Sequence, residues 1–78
     1  MRSEATLAFL AKQLVDEPDE VAVDVIEEND QTVLELSVAQ GDVGKVIGKR
    51  GRTAKAIRAV VKAAGSLDDE DVHVEILD

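Results

Sequence analysis

The sequence predicts an α+β fold in which a three-stranded mixed sheet carries helices packed on one face. Apolar residues recur at helical spacing in two stretches, one near the start of the chain and one in its second half. Three other stretches alternate apolar and polar residues, which is the period-two pattern of a half-buried strand. A glycine loop, Gly48 to Gly51, lies between a short turn and the second long helix. The predicted order of elements is therefore α-β-β-α-α-β.

The first helix is predicted from about Glu4 to Val15. Its apolar residues form one stripe at helical spacing. They are Leu7, Leu10, Ala11 and Leu14. Ser3 is the predicted N-cap, and Glu4 lies in the first turn, where an acid favours the helix dipole. Pro18 follows in an acidic stretch and ends the helix, because the residue before a proline avoids the helical conformation.

The next two elements are predicted to be strands that form a hairpin. In the first strand, Val21, Val23 and Val25 alternate with Ala22, Asp24 and Ile26. In the second, Leu34, Leu36 and Val38 alternate with Val33, Glu35 and Ser37. The stretch between them, Glu28 to Gln31, contains the Asn and Asp typical of a turn. Two strands joined by so short a turn pair in an antiparallel manner.

The second half of the chain supplies two helices and a last strand. Asp42 is predicted to cap a short turn at Val43–Ile47. The long helix is predicted from about Arg52 to Ala64, with Gly65 as its stop. Its apolar face is broader than one sheet contact requires, which leaves surface for the first helix or for another molecule. The strand that begins at Val72 is joined to the hairpin through helices, so we expect a right-handed parallel connection.

Charge is distributed unevenly along the chain. The net charge is −8, yet the segment from Val43 to Leu67 contains seven basic residues and no acid. The seven are Lys45, Lys49, Arg50, Arg52, Lys55, Arg58 and Lys62. Two glycines three positions apart, followed by a helix N-terminus, suit an anionic oxygen, and phosphate is the first expectation. For Lys62, near the end of the helix, a solvated position is favoured.

The chain resembles the KH domain at the run Val46-Ile47-Gly48-Lys49-Arg50-Gly51, which precedes a basic amphipathic helix. The signature of that family is an I-G-x-x-G loop between two helices. The element order is similar to that of the type II KH fold, and the resemblance covers residues 1–78 as one KH domain. In length the chain is similar to the small stand-alone bacterial KH proteins of the KhpA type.

The resemblance implies a groove for about four single-stranded nucleotides, formed by two helices, the glycine loop and the central strand. Within it, Gly48 and Gly51 would permit close approach, Lys49 and Arg50 would meet phosphates, and Ile47 would line the floor. The residues implied to bind RNA are Lys45, Ile47, Gly48, Lys49, Arg50, Gly51, Arg52, Lys55 and Arg58.

The resemblance also implies partners and a cellular role. Proteins of this type pair with themselves or with a larger KhpB-type protein that carries a KH domain of its own. The pair is associated with RNA-chaperone activity, post-transcriptional regulation, and control of cell elongation and envelope synthesis. We therefore expect single-stranded RNA and a homodimer or heteromer, with no cofactor and no metal.

Composition weighs against most other classes of function. The chain has no cysteine and only one histidine, His73, so it offers little for catalysis, and no enzyme is expected. No apolar run approaches membrane-spanning length, and the cytoplasm is the expected compartment. A P-loop is excluded, because Gly44 and Gly48 are separated by three residues where four are needed. Recognition of duplex DNA by a helix-turn-helix is a less favoured hypothesis, because the apolar face of the basic helix packs against the core.

One alternative remains open from the residues alone. In it the chain is a dimerising adaptor subunit, the glycines only form a helix-to-helix turn, and nucleic-acid binding by the chain itself is negligible. The broad apolar arc of the second long helix and the acidic remainder of the chain favour this alternative. Salt-sensitive binding to RNA would distinguish the two.

Overall fold

Three helices and three strands follow one another in the predicted order in the computed structural model, which describes residues 1–78. The helices are α1 (Arg2–Leu14), α2 (Val43–Ile47) and α3 (Arg52–Leu67). The strands are β1 (Ala22–Glu28), β2 (Gln31–Ser37) and β3 (Val72–Ile76). Short 3₁₀ turns occur at Pro18–Glu20, Gln40–Asp42 and Lys49–Gly51. None of the helices has both the length and the apolar composition that crossing a bilayer requires.

The sheet is mixed, as predicted, with strand order β1-β2-β3. β1 and β2 pair antiparallel, while β2 and β3 pair parallel. The hairpin turns at Asn29 and Asp30, whose φ angles are 52° and 64°. Two adjacent left-handed residues match the twist of a tight hairpin, and Asn and Asp adopt that conformation at low cost. The predicted hairpin is therefore confirmed.

The core lies between one face of the sheet and the helices α1 and α3. Its buried residues are aliphatic throughout, as the near absence of aromatic residues requires. They are Leu7, Ala11, Leu34, Leu36, Val46, Ile57, Val61 and Val72. On the central strand, Leu34 and Leu36 are fully buried, whereas Glu35 between them reaches solvent. A slip of one residue would bury Glu35, so burial fixes the register of β2.

The end of α3 differs from the prediction. The helix continues to Leu67, so the prediction that Gly65 stops it is wrong. Gly65 is buried inside the helix, and a Cβ there would lie 2.6 Å from Cγ2 of Val72. Asp68 is the C-cap residue, and the chain turns away at Asp69, which has a φ of 56°. Glycine is needed at position 65 because β3 packs against it, and local sequence signals do not contain that contact.

The start of α1 also differs from the prediction. The helix begins at Arg2, and Met1 is its N-cap residue, so the prediction that Ser3 caps it is wrong. Ser3 lies inside the first turn, where it is fully buried and its Oγ has no hydrogen-bond partner. Burial accounts for a small residue at this position, but not for its hydroxyl.

Candidate nucleic-acid interface

The glycine loop, residues Gly48–Gly51, connects the end of α2 to the start of α3. Three of its residues have positive φ angles: Gly48 at 75°, Arg50 at 58° and Gly51 at 72°. A Cβ on Gly48 would also collide with Thr53, coming within 2.6 Å of its Cβ and 2.9 Å of its backbone nitrogen. A Cβ on Gly51 would meet nothing within 4 Å. Backbone conformation and space both require glycine at 48, and conformation alone favours it at 51.

The loop presents its cations and the start of α3 to solvent. Lys49 and Arg50 are exposed, and Ile47 beside them is 36% exposed. The turn is closed by the Gly51 N–H, which donates to the carbonyl of Gly48 at 3.2 Å. No side chain caps the first turn of α3, and no acid lies in it. The positive end of the helix dipole therefore faces outward beside two cations, an arrangement that favours an anion.

Three further cations continue from the loop along α3. Lys55, Arg58 and Lys62 are spaced i, i+3 and i+7, which places them on one face of the helix. We call these three residues the basic edge. Nε of Arg58 donates to the carbonyl of Val74 at 3.2 Å, so this face of α3 runs beside the edge strand β3.

Arg58 and Lys62 share a hollow of about 160 Å³ with three residues of β3. Lys62 is exposed, in agreement with the solvated position that the sequence favoured, and it also lines the same hollow as Arg58, a predicted site residue. Its spacing of four residues from Arg58 is the signal that identifies it.

Ion pairing separates the seven basic residues of the segment into two groups. Six of them form no ion pair in the structure and are exposed. They are Lys49, Arg50, Arg52, Lys55, Arg58 and Lys62. No carboxylate contacts these side chains, so their positive charge can attract an external anion. Lys45 is the exception.

Lys45 lies between two carboxylates. Its Nζ is 3.2 Å from Oδ2 of Asp16 and 3.4 Å from Oδ1 of Asp42. Asp42 is only 3% exposed, and its Oδ2 accepts the backbone N–H of Glu17 at 3.1 Å. Asp42 is the N-cap residue of α2, as predicted, but its carboxylate makes no cap bond to the helix. The carboxylate is committed to a segment 25 residues earlier in the chain.

The charges in this cluster stabilise one another. Burial by itself raises the pKa of the Asp42 carboxyl, but the N–H groups of Glu17 and Asp16 and the Lys45 ammonium outweigh it and hold that pKa below its ordinary value. The Asp16 carboxylate is the main cause that raises the pKa of the Lys45 ammonium, through its hydrogen bond and its charge. The hydrogen bond to Asp42 adds to this effect. Both groups are therefore charged at neutral pH.

Comparison with known proteins identifies the family. A family model described as KhpA/KhpB, KH domain, matches residues 4–76. The chain belongs to the KhpA/KhpB KH-domain family. The RNA-binding protein KhpA of Clostridium acetobutylicum is 54% identical over 71 residues, which are 91% of this chain and 95% of the relative. The RNA-binding protein KhpA of Borreliella burgdorferi is 50% identical over 72 residues, 92% of this chain and 88% of the relative.

Solved structures confirm the fold. Aquifex aeolicus Era matches with a TM-score of 0.65 and 21% identity, over 95% of this chain and 29% of the Era chain. A structure of Era in complex with MgGDPNP and a segment of 16S ribosomal RNA matches equally well over 28% of its chain. At this identity the likeness concerns the fold alone. Together with the family and the element order, it confirms the type II KH fold.

Proposed function

We propose that the chain is a non-enzymatic protein that binds single-stranded RNA through the glycine loop and the basic edge. The observation that carries this proposal is the run of six exposed cations without ion-pair partners, which begins at the loop and continues along α3. The family relatives named RNA-binding protein KhpA support the same ligand.

In the proposed complex, the RNA backbone crosses the glycine loop. Gly51, where a Cβ would meet only open space, lets a phosphate approach the main chain, while Gly48 makes the turn against Thr53. Lys49 and Arg50 bind phosphate oxygens. Ile47, which is partly exposed, forms apolar floor beside them. Arg52 extends the contact into the first turn of α3.

The nucleotide path continues along the basic edge. Lys55 and Arg58 are the next cations on this face of α3, and Lys62 follows them. We place the path beside the edge strand β3, because Arg58 contacts Val74, whereas the resemblance implied the central strand. No aromatic side chain lies on this path, since Phe9 of α1 is the only aromatic residue of the chain.

Affinity of the single chain is expected to be low and sensitive to salt. Without base stacking on aromatic rings, binding depends on phosphate contacts, whose strength falls as salt rises. A second copy, or a KhpB-type partner with its own KH domain, would raise affinity through effective concentration. The proposed cytoplasmic roles in RNA chaperoning, post-transcriptional regulation, and cell elongation and envelope synthesis rest on family resemblance.

The test is a titration of single-stranded RNA of about a dozen nucleotides, at several salt concentrations, into the wild type and into Lys49→Asp/Arg50→Asp. The double variant is expected to lose most of its binding and to show a lower slope of log affinity against log salt, by about 0.7 for each lost phosphate contact. Arg2→Asp/Lys12→Asp changes net charge equally outside the basic segment and is expected to retain binding. Circular dichroism checks that all proteins are folded.

Equal binding by the wild type and the loop variant would show that the loop is not the RNA site. A preference for duplex DNA would also contradict the proposal.

A dimerising adaptor is the second candidate, and one surface favours it. A groove of about 240 Å³ between α1 and α3 is lined mainly by apolar side chains. They include Leu10, Leu14, Ala56, Ile57 and Val60, and Val60 is 50% exposed. If sedimentation shows a dimer and the wild type binds no RNA at low salt, the adaptor is the better account of the isolated chain.

A further inference from the structure

The position of the glycine loop depends on α2, which is too short to be stable by itself. α2 has five residues, Val43–Ile47, and leads directly into Gly48. Isolated helices of this length do not form in water, so contacts with the rest of the protein must hold it. Val46 is the one fully buried side chain of α2. α2 also packs against α3 and α1, and a polar contact adds to this packing because a hydrogen bond, unlike an apolar contact, has a preferred direction.

That polar contact has a buried carboxylate at its centre, while its partner Lys45 is 43% exposed. Asp42, which directly precedes α2, is the only carboxylate among the buried residues. It accepts the N–H of Glu17 at 3.1 Å, and Lys45 from the first turn of α2 lies 3.4 Å from it. A charge taken out of water persists only where it is hydrogen-bonded and paired. The contact therefore has one defined geometry.

Lys45 extends this contact from α2 to the segment between α1 and β1. Its ammonium lies 3.2 Å from Asp16 as well as near Asp42, so one side chain joins the two segments. It is also the one cation of the basic segment whose charge is neutralised within the protein. We call Asp16, Glu17, Asp42 and Lys45 the Asp42 cluster.

We infer that the Asp42 cluster positions α2, and with it the glycine loop, for RNA, and that Lys45 acts as a positioning residue and does not contact phosphate. The inference rests on the proposed function, because it assigns a role within that site. It separates Lys45 from Lys49, four residues away, although both were predicted from sequence to bind RNA.

The two roles of Lys45 give different salt dependences. If the cluster holds the loop in its binding conformation, losing it lowers the fraction of competent molecules and multiplies Kd by the same factor at every salt concentration. If Lys45 binds a phosphate, losing it lowers the log–log salt slope by about 0.7.

The experiment compares Lys45→Met with Lys45→Arg, which keeps the cation, and with Lys12→Met, which removes an unpaired cation from α1. RNA titrations at several salt concentrations give affinity and slope. NMR of the RNA-free proteins gives the amide shifts and hydrogen exchange of Gly48 and Gly51. We expect Lys45→Met to weaken binding about three- to tenfold with unchanged slope. We also expect it to shift both glycine amides and speed their exchange, while Lys45→Arg and Lys12→Met do neither.

Asp16→Asn provides a second route, because it removes one partner of Lys45 at an exposed position. It is expected to move the same amide signals in the same direction by a smaller amount.

A slope reduced by about 0.7 with unmoved loop amides would overturn the inference and make Lys45 a phosphate ligand. Unchanged affinity and unchanged amides would also overturn it, since the cluster would then stabilise the fold without positioning the loop. If the wild type binds no RNA, the proposed function fails, and the RNA-free amide measurement still decides whether the cluster holds the loop.

Discussion

The two long helices pack against each other, yet only α1 has an acid in its first turn and a base in its last. Glu4 and Lys12 of α1 both complement the helix dipole, although Arg2 at its first position does not. α3 has no acid in its first turn and no base in its last. It begins instead with Arg52, and Asp68 follows its end. Glu4 and Lys12 of α1 therefore stabilise the fold, whereas Arg52 and Asp68 at the ends of α3 oppose it, by about 0.3–1 kcal/mol each.

The backbone conformation at the helix ends also differs between α1 and α3. α1 is followed by its C-cap residue Val15, whose backbone is in ordinary extended conformation. α3 is preceded by positive φ angles at Gly48, Arg50 and Gly51, and its last turn needs glycine at position 65. Folding stability explains Glu4 and Lys12 of α1, whereas it does not explain the cations and positive φ angles at the start of α3. This difference supports placing the RNA site at that end of α3.

The largest effect on stability is expected from Gly65→Ala at the end of α3. The new Cβ would lie 2.6 Å from Cγ2 of Val72, whose side chain is stiff and only 2% exposed. Overpacking of this kind costs about 1–3 kcal/mol of unfolding free energy, measured by urea denaturation.

Gly44→Ala in α2 is the matched control, since its Cβ meets nothing within 4 Å. It should stabilise by up to about 1 kcal/mol. Equal stability of both variants would mean that β3 does not press on α3.

Smaller effects on stability are expected in the glycine loop, with opposite signs at Arg50 and Lys49. Arg50→Gly relieves a left-handed φ of 58° and should raise the unfolding free energy by about 0.5–1 kcal/mol. Lys49→Gly, at a residue without positive φ, should lower it by about the same amount. Each variant removes one cation, so both should weaken RNA binding. If Arg50→Gly were destabilising, the Arg50 side chain would have to make stabilising contacts of its own.

The smallest effect tests the helix charges directly. Arg52→Glu should raise the unfolding free energy by about 0.3–1 kcal/mol, because an acid suits the start of a helix, while RNA binding weakens. Lys12→Glu on α1 should lower stability by a similar amount and leave RNA binding unchanged. Thermal unfolding and RNA titration measure the two properties separately. Loss of stability in both variants would remove the contrast between the helices.

Local patterns determined most of the fold. Period-two alternation predicted the three strands, helical spacing predicted both long helices, and Asn29 with Asp30 marked the hairpin turn. The loop with its exposed cations was also visible in the sequence, because glycine spacing and charge are properties of neighbouring residues. The role of those residues in binding RNA remains a prediction.

Contacts between distant residues decided the rest. Gly65 is fixed by Val72 rather than by the end of the helix, and Asp42 binds the backbone of Glu17 rather than the cap of α2. Lys45 is a cation like its neighbours in the sequence, and its approach to Asp16 and Asp42 distinguishes it from them. Sequence shows which charges and shapes a segment carries. A buried charge finds its partner, and the space above a glycine is filled, only when segments far apart in the chain come together.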